Sequence, residues 1–220
     1  MIDIPVHNQA GEEVGKIQVD EQKLGGEVRH ALLKQAYVRY HANRRQGSAK
    51  TRNRSETAYS TRKLYRQKGT GNARRGSAGT NLMRHGGHAH AKRPRSFRQA
   101  MPTKMRRLAN RNAVLAKAID GEIKVVDNLA IDKPSTKTFN SLLNNLKIDR
   151  TCLLALADVT GNEAISARNL ANISITQIDR LNAFDLLNHR YLLVDKQAFE
   201  AYLSRITADE LAKAKQEAAN

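Results

Sequence analysis

Ile123-Lys124-Val125-Val126, Cys152-Leu153-Leu154-Ala155-Leu156-Ala157, Ile173-Ser174-Ile175 and Tyr191-Leu192-Leu193-Val194 are short apolar runs in the second half of the chain. They are nearly continuous, the mark of strands buried on both faces. Between and after them, residues 135–146, 162–170, 183–188 and 197–206 carry apolar positions at helical spacing. Strands alternating with helices predict a parallel sheet covered on both sides. The expected fold class is therefore α/β, a Rossmann-like three-layer globular domain. Thr207-x-x-Glu210 reads as a capping box that opens a last helix, from Thr207 to about Ala218. No internal repeat is visible.

Further out, Ile2-Asp3-Ile4-Pro5-Val6 and Val14-Gly15-Lys16-Ile17-Gln18-Val19 read as two strands of a hairpin turned at Asn8-Gln9-Ala10-Gly11. Pro5 cannot donate to a ladder and predicts an edge or irregular strand. Residues 27–43 have Val28, Ala31, Leu32, Ala36 and Val38 at helical spacing. Pro102 is suited to a first helical position, and Met105, Leu108, Ala109, Ala113, Leu115, Ala116 and Ile119 continue one apolar stripe that Gly121 ends.

The segment between those two helices has a different composition. From Arg39 to Arg111 there are 21 Lys and Arg against the single acid Glu56, so this block carries +20 in a chain whose total is +17. The rest is slightly acidic. Between His41 and Ala100 there is no Val or Ile, and Leu64 and Leu82 are the only leucines. Such a stretch cannot bury enough apolar surface to offset its chain entropy. It is punctuated by Gly47, Gly69, Gly71, Gly76, Gly79, Gly86 and Gly87, which permit close backbone approach. Residues 1–43 and 101–220 are thus expected to form a discontinuous globular domain, and residues 44–100 a long, basic, Gly-rich extended loop. Closed at both ends, such a loop reaches at most ~100 Å, and loops this long in compact domains are usually functional.

A cationic segment of this density calls for a polyanion, and nucleic acid gains affinity as Lys and Arg release condensed counterions. Arg outnumbers Lys in the loop, which suits planar recognition of phosphates and bases. On the entering limb the candidate RNA-binding residues are Arg44, Arg45, Lys50, Arg52 and Arg54. In the middle they are Arg62, Lys63, Tyr65, Arg66, Gln67, Lys68, Gly69, Gly71, Arg74 and Arg75. His85, His88, Lys92, Arg93 and Arg95 follow on the return, and Lys104, Arg106 and Arg107 open the next helix. Tyr59, Tyr65 and Phe97 are suited to stack on bases. The plain alternative is a solvated basic linker.

Other chemistry is weakly signalled. No run approaches a membrane span, and the loop lacks the apolar helical face that a membrane surface would take up. The first residues lack a basic n-region and an apolar h-region, so a soluble protein of the bacterial cytoplasm is expected. Cys152 reads as core filler and admits no internal disulfide. Asp127, Asp158 and Asp195 each follow a strand, where they either cap turns and helices or gather a metal. Gly69-Thr70-Gly71-Asn72-Ala73-Arg74-Arg75-Gly76 does not fit a dinucleotide fingerprint, because its third glycine comes too late and no strand precedes it. His85, His88 and His90 lack the cysteines or carboxylates of a zinc site. No metal, cofactor, small-molecule substrate or enzymatic activity is expected.

Asn43-Arg44-Arg45-Gln46-Gly47-Ser48-Ala49-Lys50-Thr51-Arg52, Arg66-Gln67-Lys68-Gly69-Thr70-Gly71-Asn72-Ala73-Arg74-Arg75-Gly76-Ser77, Lys92-Arg93-Pro94-Arg95 and Lys104-Met105-Arg106-Arg107-Leu108-Ala109 resemble the signature of the family of large-subunit ribosomal protein four. The resemblance continues through Ser166-Ala167-Arg168-Asn169-Leu170 and Leu181-Asn182-Ala183-Phe184-Asp185-Leu186-Leu187. It implies a structural ribosomal protein that binds large-subunit ribosomal RNA and supports subunit assembly and translation. It further implies a loop tip lining the nascent-peptide exit tunnel, beside the loop of another ribosomal protein. The tip would fall between Arg62 and Arg75, with Arg62, Arg66, Lys68 and Thr70 facing the tunnel and Lys68 nearest to it. Neighbouring ribosomal proteins are the implied partners, with no homo-oligomer. Leu64-Tyr65 stands where the family often has Trp, and His85 replaces a glycine. On the residues alone, a regulator that grips a structured transcript and an α/β enzyme with a basic substrate clamp remain alternatives, and the resemblance adds the possibility that such a regulator acts on its own operon.

Overall fold

In the computed structural model the backbone is described for residues 1–218 and side chains for residues 1–207. The chain divides into two units, Met1–His41 together with the chain from Ala100 onward, and Ala42–Gln99.

The first unit is an α/β domain on a mixed six-stranded sheet of order β2-β1-β3-β6-β4-β5. β1 (Ile2–His7) and β2 (Glu13–Val19) form an antiparallel hairpin. β3 (Ile123–Val126), β4 (Cys152–Leu156), β5 (Ile173–Gln177) and β6 (Tyr191–Asp195) run parallel to one another, and β3 is parallel to β1. β1 is therefore an inner strand, and the edge position expected from Pro5 belongs to β2. Pro5 is tolerated because pairing with β3 begins only at Val6, so its missing N–H interrupts no bond on that side.

Alternation along each parallel strand splits the core in two. Ile123, Val125, Leu153, Ala155, Leu192 and Val194 join one cluster with Val114 and Leu115 of α2 (Thr103–Ile119) and Phe199 of α6 (Lys196–Ala218). Val126, Cys152, Leu154, Leu156 and Leu193 join the other, with Phe139 and Leu142 of α3 (Thr136–Asn145) and Ala164 of α4 (Asn162–Ala167). Apolar side chains on both faces explain why those runs are nearly unbroken.

α1 (His30–Asn43) buries much of the face that the spacing predicts: Ala36 is buried and Val28 and Leu32 pack against the core, but Leu33 is buried beside them while Ala31 is exposed and Val38 is 45% exposed. Its aromatic residues extend the inward face. Tyr37 and Tyr40 lie 5.0 and 6.1 Å from the ring of Phe184, which belongs to α5 (Ala183–Asn188). α2 starts one residue after Pro102 and is buried over most of 111–118, leaving Ile119 56% exposed. Gly121, at φ +66°, ends it as expected, where a side chain would be strained. Asn110 of α2 pins the entry to α5, donating to the Leu181 carbonyl at 3.2 Å and accepting from the Ala183 amide at 3.0 Å.

The two C-terminal helices expected from the sequence are one, α6. Thr207 opens no helix. Its hydroxyl donates back to the Leu203 carbonyl at 3.1 Å, a bond that a mid-helix Thr makes. Residues 196–218 contain no Gly or Pro to stop propagation. Glu210, the other half of the expected capping box, has its side chain outside the described residues.

Candidate nucleic-acid interface

Residues 44–102 contain no helix or strand. Within Ala42–Gln99 the two limbs are cross-linked at successive levels. The Gln99 amide donates to Asn43 Oδ1 at 2.7 Å, and the Arg95 amide to the Gly47 carbonyl at 3.1 Å. The Thr51 amide meets the Lys92 carbonyl at 3.0 Å, and the Lys92 amide returns to Thr51 Oγ1 at 2.7 Å. His88 donates to the Arg52 carbonyl at 3.0 Å, and the innermost backbone bond runs from the Leu64 amide to the Gly76 carbonyl at 3.0 Å. Each pair closes a shorter loop than the last, so the limbs form an irregular antiparallel ribbon that turns between residues 64 and 76. Inside that turn the Tyr65 hydroxyl donates to the Ala73 carbonyl, Lys63 Nζ to Gln67, and the Arg66 guanidinium to the Gly69 carbonyl.

No apolar core supports this ribbon. Of its described residues only Gly79 and Gly87 are buried. Four of its glycines serve the ribbon itself. A side chain on Gly47 would meet the Arg95 carbonyl, on Gly79 the Tyr59 ring, on Gly86 the Thr80 carbonyl and on Gly87 the Arg54 backbone. At those positions the close backbone approach that glycine permits is made within the ribbon. Gly71 and Gly76, near the turn, have open space around them.

Residues 42–99 hold sixteen Lys and Arg, all exposed, against Glu56. Glu56 pairs with Lys50 at 3.1 Å, and the hydrogen bond from Lys50 holds its carboxyl below the usual carboxylate range. One such pair leaves the ribbon's surplus charge almost intact. From the sequence-derived set, Arg44, Arg45, Lys50, Arg52, Arg54, Arg62, Lys63, Arg66, Gln67, Lys68, Gly69, Gly71, Arg74 and Arg75 are exposed. So are His85, His88, Lys92, Arg93 and Arg95, whereas Tyr65 and Thr70 are half-buried. Arg84 and Arg98 are equally exposed cations of the ribbon, findable by charge alone. Lys104, Arg106 and Arg107 belong to the first turns of α2 in the other unit; Lys104 and Arg107 are exposed, and Arg106 donates to Thr103 Oγ1 at 3.2 Å.

The aromatic residues differ from expectation. Phe97 carries the Arg45 guanidinium carbon 3.8 Å from its ring centroid and that of Arg95 at 4.4 Å. Tyr59 packs on Gly79. Both rings pack within the ribbon, because a segment so poor in aliphatic residues uses what apolar surface it has to organise itself.

The other candidates behave as structure. Asp158 accepts from the Thr160 amide at 3.0 Å and its hydroxyl at 2.7 Å, which lowers its carboxyl's pKa. Asp195 is held above the usual range by burial while it accepts from backbone amides of Ala198, Leu129 and Gln197. Asp127 pairs with Lys196 at 3.5 Å. Among the described residues no three His, Cys, Asp or Glu converge as metal ligands. Cys152 is buried, and desolvation pushes its thiol up to about 12, far from a nucleophile's range. Among the described residues no helix is long and apolar enough to cross a membrane.

Residues 17–205 match the family described as "Ribosomal protein L4/L1 family". The chain is 40% identical to the large ribosomal subunit protein uL4 of Dehalococcoides mccartyi over 197 residues, 90% of this chain and 94% of that one. It is 37% identical to uL4 of Rhodopirellula baltica over 204 residues, covering 91% and 90% of the two chains. With uL4 of Moorella thermoacetica it shares 39% identity over 195 residues, 89% of this chain and 94% of the relative.

Proposed function

Because this chain belongs to the ribosomal protein L4/L1 family, whose members are structural and not enzymatic, we propose that it is a constituent of the bacterial large ribosomal subunit. It acts in the cytoplasm, where residues 44–100 bind ribosomal RNA and the turn between Arg62 and Arg75 lines the nascent-peptide exit tunnel. Residues 1–43 and 101–220 form the globular body, which we read as Rossmann-like from its parallel strands with helices to either side.

One observation carries the reading: sixteen exposed cations face a single acid in a ribbon that buries no side chain. Phosphates supply the neutralisation that this segment lacks. Each Lys or Arg that replaces condensed counterions lowers the slope of log K against log salt by about 0.7 to 0.9. Arg62, Arg66, Lys68 and Thr70, at or beside the turn, are the residues of the ribbon best placed to reach beyond the RNA, with Lys68 foremost. The partners are large-subunit ribosomal RNA and neighbouring ribosomal proteins, including the one that supplies the other tunnel loop. The protein acts as a single copy with no cofactor, supporting subunit assembly and translation.

Sedimentation of native extract tests the assignment. The chain should co-migrate with large subunits, and cross-links from positions 62–75 should recover ribosomal RNA. A free pool that cross-links chiefly to messenger RNA would replace this reading with that of a regulator.

A further inference from the structure

Phe97 carries two charges on its ring. The guanidinium carbons of Arg45 and Arg95 lie 3.8 and 4.4 Å from its centroid, so both groups stack on this one ring. Stacking fixes both planes while each arginine stays exposed. The Arg95 amide bond to the Gly47 carbonyl, at 3.1 Å, ties the limbs together beside this cluster. The same three side chains, with Gly47, Lys92 and Arg93, line a cleft of about 780 Å³. That volume lies in the range of sites for small organic groups.

A guanidinium plane presents a flat face that stacks on an unpaired base, whereas the bases of a duplex have their faces occupied by their neighbours. We propose that this cleft takes one unpaired ribonucleotide, its base on the outer face of Arg45 or Arg95 and its phosphate toward Lys92 and Arg93. Phe97 is a positioning residue, holding the arginine planes rather than touching RNA. The inference rests on the RNA-binding reading above and narrows it, at this place, from RNA in general to a splayed-out nucleotide.

The test titrates the full chain with a short single-stranded RNA carrying one 2-aminopurine and with the blunt duplex of the same sequence. Wild type and Phe97→Tyr should change the reporter's fluorescence through stacking. Phe97→Leu should lose that signal and roughly ten-fold in single-strand affinity, the scale of one stacked base, with duplex affinity unchanged. The double variant Arg45→Lys, Arg95→Lys keeps every charge, so its salt slope should hold while the stacking signal disappears. It also carries the test should Phe97→Leu fail to fold. Steep salt dependence with no stacking signal in wild type, or a signal untouched in both variants, overturns the nucleotide site and leaves RNA binding standing. Salt-independent binding of either RNA, or none, overturns both.

Discussion

Asn43 and Gln99 are joined in both directions: the Gln99 amide donates to Asn43 Oδ1 at 2.7 Å, and Asn43 Nδ2 donates to the Gln99 carbonyl at 3.3 Å. One amide side chain thereby closes the whole basic segment at its base. Because each inner pair is nearer in sequence, closing the outermost pair first shortens every later loop and lowers its entropy cost.

Asn43→Ala should therefore remove hydrogen-exchange protection at the Gln99 amide and weaken it at Arg95. Asn43→Asp, which keeps the acceptor, should retain protection at Gln99. Global stability should move by no more than about 0.5 kcal/mol, as for other exposed sites. Unchanged exchange at Gln99 in Asn43→Ala would contradict the closure.

Gly87→Ala tests the inner ribbon. The added methyl would meet the Arg54 amide and Cα and the Asn53 carbonyl carbon, which are backbone atoms with little freedom to yield. Protection should fall at the His88 amide, which bonds to the Arg52 carbonyl at 3.0 Å, and RNA affinity should fall with it. The melting of the α/β unit should not shift, since its core includes no residue from 44–100. A lower Tm measured by calorimetry would contradict that independence.

Lys117 is a buried ammonium near the end of α2, bonded to Glu122 Oε2 at 2.5 Å and to the Arg190 carbonyl at 2.7 Å. Lys117→Ala leaves the largely buried Glu122 with Arg190 alone, at 3.4 Å. Removing one member of a buried pair costs about 3 kcal/mol, readable as a lower urea midpoint. A loss below about 0.5 kcal/mol would show that the pair contributes nothing net.

His7 is 8% exposed, and neither ring nitrogen has a hydrogen-bond partner. Burial, with Lys124 adding to it, lowers its pKa from 6.5. The unfolded chain then binds the proton more readily than the folded one. Stability is full above the unfolded value and falls as pH drops below about 6.5. His7→Leu should flatten that part of the stability-pH curve and raise Tm at pH 6. An identical acid slope in the variant would assign the effect to other groups.

The sheet was legible because Cys152–Leu156 and Tyr191–Val194 are nearly continuous apolar runs, a pattern that two buried faces impose. Leu33 and Tyr37 were not picked out on α1, and the ring of Phe184 against which Tyr37 packs lies far along the chain. The false break at Thr207 shows local capping chemistry overruled by a helix with nothing to stop it. In the ribbon, charge was legible from composition alone. The pairs Asn43–Gln99, Gly47–Arg95 and Thr51–Lys92 were not, since they follow no side-chain period. Phe97 was read as a surface for bases because sequence does not reveal that Arg45 and Arg95 stack on its ring.

The most direct test is a salt titration of ribosomal RNA binding by the full chain and by a chain in which a short linker replaces residues 45–97. The full chain should show a steep negative slope of log K against log salt. The shortened chain should lose most of that slope, at about 0.7 to 0.9 for each phosphate contact removed. Equal slopes and equal affinities would contradict the account, because the RNA grip would then lie in the globular unit and not in the basic ribbon.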